Sequence, residues 1–215
     1  MSVLVFANGD LQPSDWVQPY LDQALAVIAA NGGARHVLGL SHRPDVVIGD
    51  LDSLASGMQE RLMDESTLVL SHSADKDETD LELALLYAAA RYDEEILVFA
   101  GLGGRLDQMF ANILLLMHPR LRGHEISFKT QYQRIWLIEA QATIKGQAGD
   151  TVSLIPLGGD VHVESTTGLR WPLRDELLAF ALARGVSNEM LDEVASVSIG
   201  KGHLLCVHTQ QVWQR

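Results

Sequence analysis

Two short acidic clusters in this chain each follow an apolar, strand-like run of residues. The first cluster contains Asp50 and Asp52, and the second contains Asp75, Asp77 and Asp80. Carboxylates gathered at strand ends repel one another unless a hard cation lies among them, and Mg²⁺ together with a polyphosphate is the usual ligand of such a site. All five aspartates are therefore candidate metal ligands, because helix capping explains Asp80 but not the whole set.

A glycine-rich segment contains further candidates for phosphate binding. Gly101, Gly103 and Gly104 precede a predicted helix that begins near Arg105. Backbone N–H groups at such a turn can approach phosphate oxygens closely, and the dipole of the helix favours an anion there. A guanidinium can donate two parallel hydrogen bonds to one phosphate. A tight strand-to-helix turn explains the glycines equally well.

Lys76 lies between two aspartates, where a surface ion pair and a second phosphate contact are both compatible with the sequence.

These polar segments require a scaffold of parallel strands. Short β-rich runs alternate with helical patterns through the amino-terminal part of the chain, an order typical of a parallel sheet with crossover helices. The predicted strands span residues 3–7, 24–30, 46–48, 67–70, 95–100 and 125–129. Predicted helices span residues 79–92, where Thr79 and Glu82 form a capping box, and 105–117, which His118-Pro119 ends. Each polar segment then lies at the carboxyl end of a strand, where open α/β sheets bind ligands.

The sequence pattern changes at residue 132. Short alternating segments separated by glycine span residues 143–145, 151–155, 160–164, 197–199 and 204–208, and they predict an antiparallel sandwich or barrel. One stretch, residues 174–183, favours a helix. We therefore expect an α/β domain with a mainly parallel sheet and crossover helices in residues 1–131, followed by an all-β, sandwich-like domain in residues 132–215.

Composition limits the partners and the compartment. The net charge of −12 argues against nucleic acid or an anionic membrane as a partner, although small anions stay possible if a metal supplies positive charge. No apolar stretch approaches the ~18 residues of a membrane span. The single cysteine, Cys206, excludes an intrachain disulfide and a cysteine-based zinc cage. Residues 1–7 lack a basic n-region and are typical of a strand rather than a signal peptide, so we expect a cytoplasmic protein.

The motifs of this chain, taken in order, resemble those of the thiamine pyrophosphokinases, also called thiamine diphosphokinases. The resemblance to their catalytic domain rests on Asn31-Gly32-Gly33-Ala34, Arg43-Pro44-Asp45, Ile48-Gly49-Asp50-Leu51-Asp52-Ser53, Asp75-Lys76-Asp77-Glu78-Thr79-Asp80, Gly103-Gly104-Arg105-Leu106-Asp107 and Ala111-Asn112. The resemblance to their thiamine-binding part rests on Ser153-Leu154-Ile155-Pro156-Leu157, Thr166-Thr167-Gly168-Leu169-Arg170-Trp171-Pro172-Leu173 and Ser187-Asn188-Glu189. Several of these strings are common individually, but their shared order along most of the chain is specific.

The resemblance implies an activity and a set of site residues. The reaction is transfer of the terminal pyrophosphoryl group of ATP, with Mg²⁺, to the hydroxyl of thiamine with release of AMP, which depends on positioning and charge neutralisation. The family pattern implies that Asp50, Asp52, Asp77 and Asp80 hold or orient Mg²⁺, that Lys76 and Arg105 contact phosphates, and that Asp107 orients Arg105 or the acceptor hydroxyl. Asn31, Gly32, Gly33, Gly103 and Gly104 are the further expected nucleotide-binding residues.

The resemblance also implies a homodimer with a thiamine site between its subunits. Trp171 occupies the position of an aromatic platform, and an indole stacks well on a cationic thiazolium or its attached pyrimidine. Thr167, Ser187 and Asn188 are the other expected substrate-binding residues. An ordinary core or interface tryptophan also fits the sequence at 171, and turn capping also fits Ser187 and Asn188.

Two positions depart from the family pattern. Asn31 stands where the family usually has Asp, which weakens a metal-ligand role but keeps a hydrogen bond to ribose or phosphate. Gln108 stands where the family usually has His, and an amide cannot titrate near neutrality. Two alternatives therefore stay open. One is a Mg²⁺ enzyme of the same layout that pyrophosphorylates a pterin-like alcohol or hydrolyses a phosphoester, and the other is a non-catalytic thiamine or nucleotide sensor.

Overall fold

The chain divides into two compact units, Met1–Gln131 and Tyr132–Arg215. A computed structural model describes residues 1–11, 14–50, 66–73 and 75–214. The predicted site residue Asp52 lies outside the described residues.

The first unit contains a parallel sheet. Its described strands are β1 (Ser2–Phe6), β2 (Ala24–Ala30), β3 (Val46–Gly49), β4 (Leu68–Ser71), β5 (Ile96–Phe99) and β6 (Ile126–Lys129). They lie in the order β6-β5-β1-β2-β3-β4, and each neighbouring pair is parallel. Strands β3 and β5 are buried along their whole length, as expected for central strands covered on both faces. This sheet confirms the predicted α/β class of the amino-terminal part.

The helices of the first unit connect these strands. The described ones are α1 (Gln18–Leu21), α2 (Ala34–Gly39), α3 (Asp80–Ala89) and α4 (Leu106–Leu114), with 3₁₀ turns at Asp15–Val17, Asn31–Gly33, Leu115–Met117 and Pro119–Leu121. Helix α3 begins as predicted, because the hydroxyl of Thr79 accepts a hydrogen bond from the Glu82 N–H at 3.1 Å. Leu81, Ala84 and Leu85 form part of its buried face. In the described part of the chain, no helix is both long and apolar enough to cross a membrane.

The second unit is a sandwich of two antiparallel sheets. Its strands are β7 (Gln133–Ile138), β8 (Gln141–Lys145), β9 (Thr151–Pro156), β10 (Val161–Thr167), β11 (Arg174–Leu178), β12 (Asn188–Glu189), β13 (Val194–Lys201) and β14 (Leu204–Thr209). One sheet has the order β12-β9-β14-β7 and the other has the order β11-β10-β13-β8. Leu154 and Leu204 from the first sheet share one buried core with Val163 and Val197 from the second. The predicted all-β class is confirmed.

The predicted helix at residues 174–183 is wrong. Strand β11 occupies its first half and pairs with β10, with Glu176 opposite Val163. Asp175 and Ala181 have φ angles of 50° and 65°, which a right-handed helix does not allow. Burial of Leu178 in the core of the sandwich outweighs the local helix preference of the Glu, Leu and Ala residues in this stretch.

Candidate active site

A cleft of about 520 Å³ lies at the carboxyl ends of strands in the first unit. It is open to solvent and its lining is mainly polar. The described residues that line it include Asn8, Gly9, Asp10, Asn31, Asp50, Lys76, Glu78, Thr79, Asp80, Gly101, Gly103, Gly104, Arg105, Gln108 and Asn112. The cleft therefore lies at the sheet edge that the sequence predicted as the ligand site.

The two acidic clusters meet through the side chain of Asn31. Its Nδ2 donates one hydrogen bond to Oδ1 of Asp50 at 2.7 Å and another to Oδ2 of Asp80 at 2.9 Å. The second oxygen of Asp80 accepts from Nζ of Lys76 at 2.5 Å. Residues from three loops that are far apart in the sequence thus form one hydrogen-bonded group at the base of the cleft.

The glycines after Asn31 let the chain pass close to β1. A Cβ on Gly33 would lie 2.0 Å from the carbonyl oxygen of Phe6, and one on Gly32 would lie 2.5 Å from Oδ1 of Asn8. Asn31 itself has a φ of 45°, in the left-handed region that Asn tolerates better than most residues. Both glycines are buried in the described structure. Close packing against β1 therefore accounts for them, and their predicted contact with nucleotide stays a prediction.

The loop after β5 has a different geometry. Gly103 and Gly104 have φ angles of 102° and 76°, which favour glycine, and both line the cleft. Nδ2 of Asn112 donates to the carbonyl oxygen of Gly101 at 2.7 Å and ties this loop to helix α4. The backbone of the two cleft-lining glycines is thus placed where phosphate oxygens can approach it.

Arg105 and Asp107 form an exposed ion pair at the start of α4. Nε of Arg105 donates to Oδ1 of Asp107 at 3.1 Å, and a second guanidinium nitrogen donates to Oδ2. This side-chain hydrogen bonding lowers the pKa of the Asp107 carboxyl and raises the pKa of Arg105. Arg105 lines the cleft, so Asp107 holds a permanently protonated guanidinium at its rim, although the two groups together carry no net charge.

The structure brings together part of the predicted metal site. Asp50 and Asp80 share Asn31, whereas Asp75 and Asp77 are exposed and lie outside the described lining of the cleft. Within residues 1–11, 14–50, 66–73 and 75–214, no group of three or more His, Cys, Asp or Glu side chains is arranged to hold a metal. The residues still fit Mg²⁺, which commonly binds one or two protein carboxylates and takes its other oxygens from phosphates and water. Metal roles for Asp52, Asp75 and Asp77 stay predictions.

The loop after β1 brings one further acidic residue to the cleft, Asp10, and is held by two residues outside the lining, Arg35 and His36. Asp10 faces the glycine loop, and a Cβ on Gly103 would lie 3.4 Å from its Oδ2. Arg35 donates to the carbonyl oxygens of Asn8 and Gly9 at 3.0 and 3.2 Å, and Nε2 of His36 lies 2.8 Å from the latter oxygen. Burial is the largest effect on His36 and lowers its pKa. The position of Asn8-Gly9 directly after a predicted strand already placed this loop with the other polar segments, but no sequence pattern singled out Asp10, Arg35 or His36.

In the second unit, the other predicted substrate residues surround the loop between β10 and β11. Trp171 is 52% exposed there. Asn188 holds its backbone from both sides, since Oδ1 accepts from the Trp171 N–H at 3.1 Å and Nδ2 donates to the Trp171 carbonyl oxygen at 2.7 Å. Oδ1 also accepts from the Glu189 N–H at 2.9 Å. The carboxamide of Asn188 thus fixes the backbone that carries an exposed aromatic ring.

We call the region formed by residues 167–171 and 187–189 the Trp171 corner. Neighbouring contacts complete it. The guanidinium of Arg170 lies 5.2 Å from the centroid of the Trp171 ring and donates to Oε2 of Glu189 at 2.9 Å. Ser187 has a φ of 62°, and its N–H donates to the hydroxyl of Ser153 at 3.0 Å. The hydroxyls of Thr167 and Ser196 lie 2.6 Å apart. Direct substrate contacts of Thr167, Ser187 and Asn188 stay predictions.

Comparisons with known proteins cover both units. Residues 17–128 match the family model "Thiamin pyrophosphokinase, catalytic domain", and residues 138–204 match "Thiamin pyrophosphokinase, vitamin B1 binding domain". The chain is 27% identical to the thiamine pyrophosphokinase of Bacillus subtilis over 201 residues, which is 88% of this chain and 90% of that protein. A crystal structure of thiamine pyrophosphokinase from Bacillus subtilis superposes with a TM-score of 0.87 at 25% identity, over 98% of this chain and 99% of that one. A thiamin pyrophosphokinase family protein from Enterococcus faecalis has the same fold, with a TM-score of 0.85 at 23% identity over 98% of this chain and 99% of its own.

Proposed function

Since the chain belongs to the thiamine pyrophosphokinase family, we propose that it transfers the terminal pyrophosphoryl group of ATP to the hydroxyl of thiamine, giving thiamine diphosphate and AMP. The single observation that carries this proposal is the group in which Asn31 joins Asp50 and Asp80 beside the Gly103-Gly104-Arg105 loop. Carboxylates next to backbone N–H groups that bind anions favour a metal-bound polyphosphate over a neutral molecule as the ligand.

The cleft residues have distinct proposed roles. The backbone of Gly103 and Gly104 and the guanidinium of Arg105 bind phosphate oxygens, and Asp107 keeps Arg105 in place. Asp50 and Asp80 hold Mg²⁺, with Lys76 as a further phosphate contact. When bound, Mg²⁺ neutralises charge that develops on the transferred group. Because the reaction needs alignment more than covalent help, these residues act by fixing the polyphosphate in line with the acceptor oxygen.

Gln108 contributes to the cleft without titrating. It lines the cavity next to the Arg105 loop. Its amide donates and accepts hydrogen bonds but does not accept a proton at neutral pH. We therefore place the removal of the thiamine hydroxyl proton on another group, a carboxylate or a water molecule, and give Gln108 a role in orienting a ligand.

Trp171 is the proposed platform for thiamine. Its ring is half exposed and Asn188 holds the backbone that carries it, so a planar cation can stack on an accessible face at a fixed place in the unit. The cation–π contact with Arg170 supports this role, since it shows that the face of the ring accepts a positive group.

We propose a cytoplasmic homodimer in which residues after 132 supply most of the interface. The second unit exposes large apolar side chains, namely Trp171, Leu177, Phe180, Leu182, Val186, Leu191 and Val194, which a partner subunit would cover. The one cysteine of the chain is a buried free thiol, which suits a reducing compartment. Light scattering at micromolar protein should give the mass of a dimer, and a monomer mass independent of concentration would contradict this proposal.

One assay tests the reaction and separates it from the alternatives. Purified protein is incubated with Mg²⁺, ATP and thiamine, and the nucleotide products are separated by chromatography. We expect AMP and thiamine diphosphate in equal amounts, and AMP only when thiamine is present. AMP formed with a pterin-like alcohol, or free phosphate released from a phosphoester, would indicate the second class of enzyme. Binding of both ligands without turnover would indicate a sensor.

A further inference from the structure

The carboxylates at the base of the cleft are already paired with N–H donors. Asn31 uses Nδ2 to contact both Asp50 and Asp80, and Lys76 contacts the remaining oxygen of Asp80. Both oxygens of Asp80 therefore accept a hydrogen bond in the structure. Two carboxylates and one ammonium leave a net charge of −1 on these three groups.

The orientation of the Asn31 amide follows from its neighbours. Turning the amide over would place Oδ1 against two carboxylate oxygens, which repel it, whereas Nδ2 has one proton for each of them. Asn31 is 7% exposed, and among the described residues its buried Oδ1 has no hydrogen-bond partner. In this orientation both carboxylates receive a donor. Bridging Asp50 and Asp80 is thus the contact that determines the position of this side chain.

The amide of Asn31 holds two carboxylates close together, as a cation between them would. The amide adds no charge, and Lys76 supplies the positive charge. A metal ion that arrives alone meets an Asp80 whose two oxygens already accept hydrogen bonds, one of them from a cation, so its attraction to this carboxylate is weakened. A metal ion that arrives on a polyphosphate brings its own oxygen ligands, and the added phosphate charge attracts Lys76 away from Asp80.

We propose that Asn31 and Lys76 take the place of a cation at Asp50 and Asp80, so that free Mg²⁺ binds weakly and the metal enters together with the polyphosphate of the nucleotide. Asn31 is then a positioning residue that preassembles the site, in place of the nucleotide contact expected from the sequence. The identity of the cation rests on the proposed function, but the bridge itself rests on the hydrogen bonds of this chain.

Titration of the full-length protein with Mg²⁺ tests the proposal without turnover. Calorimetry measures Mg²⁺ affinity alone and again with α,β-methylene ATP, in which the bond to be broken is blocked. Asn31→Asp adds a third carboxylate and removes the bridging donor, so it should tighten binding of free Mg²⁺ by about 10-fold or more. With the nucleotide analogue present, wild type and variant should differ much less. Equal affinities of wild type and Asn31→Asp for free Mg²⁺ would overturn the proposal.

A second variant covers the case in which Asn31→Asp does not fold. Lys76→Gln removes the positive charge and weakens the contact with Asp80, so it should also tighten binding of free Mg²⁺. Lys145→Gln, at an exposed lysine of β8 in the second unit, is the matched control and should change nothing. Weaker or unchanged Mg²⁺ binding by a folded Lys76→Gln protein would contradict the proposal. Because no step needs thiamine, a failed AMP assay and a failed titration are separate results.

Discussion

The cleft of the first unit and the Trp171 corner of the second use asparagine in opposite ways. In the cleft, Asn31 contacts two charged side chains, 19 and 49 residues away in the sequence. In the corner, Asn188 contacts backbone groups of Trp171, 17 residues away, and of its own neighbour Glu189. The first arrangement positions charges, and the second positions one apolar ring.

This difference matches what each region is proposed to bind. A metal-bound polyphosphate interacts through charge, so the cleft presents carboxylates, a guanidinium and glycine backbone. A planar organic cation interacts through its ring faces, so the corner presents a rigid, half-exposed indole. Changing a charge should therefore affect the cleft most, whereas removing surface area or rigidity should affect the corner most.

The largest effect is expected from the charge of Asp50. Asp50→Asn removes a carboxylate that Asn31 and the proposed metal share, and it should lower kcat/KM at least ~10²-fold with the fold intact. Asp77→Asn carries the same expectation from the family resemblance, and it tests whether this exposed carboxylate joins the cleft during turnover. Asp93→Asn, at an exposed carboxylate just before β5, is the control. Near-normal steady-state kinetics for both Asp50→Asn and Asp77→Asn would contradict the proposal that these carboxylates hold Mg²⁺.

The next effect concerns the face of the indole. Trp171→Ala should weaken thiamine binding by ~1–3 kcal/mol through loss of stacking and cation–π contact, and it should leave the affinity for a non-hydrolysable ATP analogue almost unchanged. Calorimetric titration with each ligand measures both. Val212→Ala, at an exposed apolar residue of the same unit that is outside the proposed interface set, is the control. Equal losses for the two ligands would instead assign Trp171 to the fold or the dimer.

Removing the support of the ring should have a smaller effect on binding. Asn188→Ala deletes three hydrogen bonds, so we expect about 1–2 kcal/mol lower stability in urea and weaker thiamine binding. The double variant with Trp171→Ala should bind thiamine no worse than Trp171→Ala alone, because both changes act through one ring. Additive losses would show that Asn188 contacts the substrate directly.

A buried acid in the second unit provides a pH test that should leave both sites unaffected. Asp150 accepts hydrogen bonds from the N–H groups of Gln147 and Gln211, both at 2.9 Å, and lies 2.8 Å from Nε2 of His208. Burial alone would raise the pKa of Asp150. The hydrogen bonds from Gln211, His208 and Gln147 together outweigh burial and lower it. The charged form is therefore favoured by folding.

The smallest expected effect follows from this lowered pKa. A carboxylate with a lower pKa in the folded state stabilises the protein above its unfolded pKa, and this stabilisation is lost as pH falls through the folded pKa. Asp150→Asn should therefore lower Tm at pH 7 by ~2–4 °C, corresponding to about 1 kcal/mol, and the difference should shrink below about pH 4. Scanning calorimetry of both proteins across this range is the measurement. A Tm difference that grows in acid would contradict the assigned sign.

Sequence patterns by themselves determined the two-part architecture. Continuous apolar runs such as residues 96–99 form buried parallel strands, because a strand covered on both faces tolerates few polar side chains. Alternation in Thr151–Pro156 likewise places every second side chain in the sandwich core. The cap at Thr79 is a local signal, so the start of α3 at Asp80 was predicted within one residue, whereas its end at Ala89 comes before the predicted residue 92.

Tertiary structure alone decided which polar residues work together. The sequence offered five aspartates as metal ligands; of the four that the structure describes, Asp50 and Asp80 are joined through Asn31 by contacts across 19 and 49 residues. The same holds for β11, where pairing with β10 and burial of Leu178 overrode a local preference for helix. Periodicity and capping depend on neighbours a few residues apart, whereas a hydrogen-bonded group at a sheet edge depends on how distant strands and loops pack.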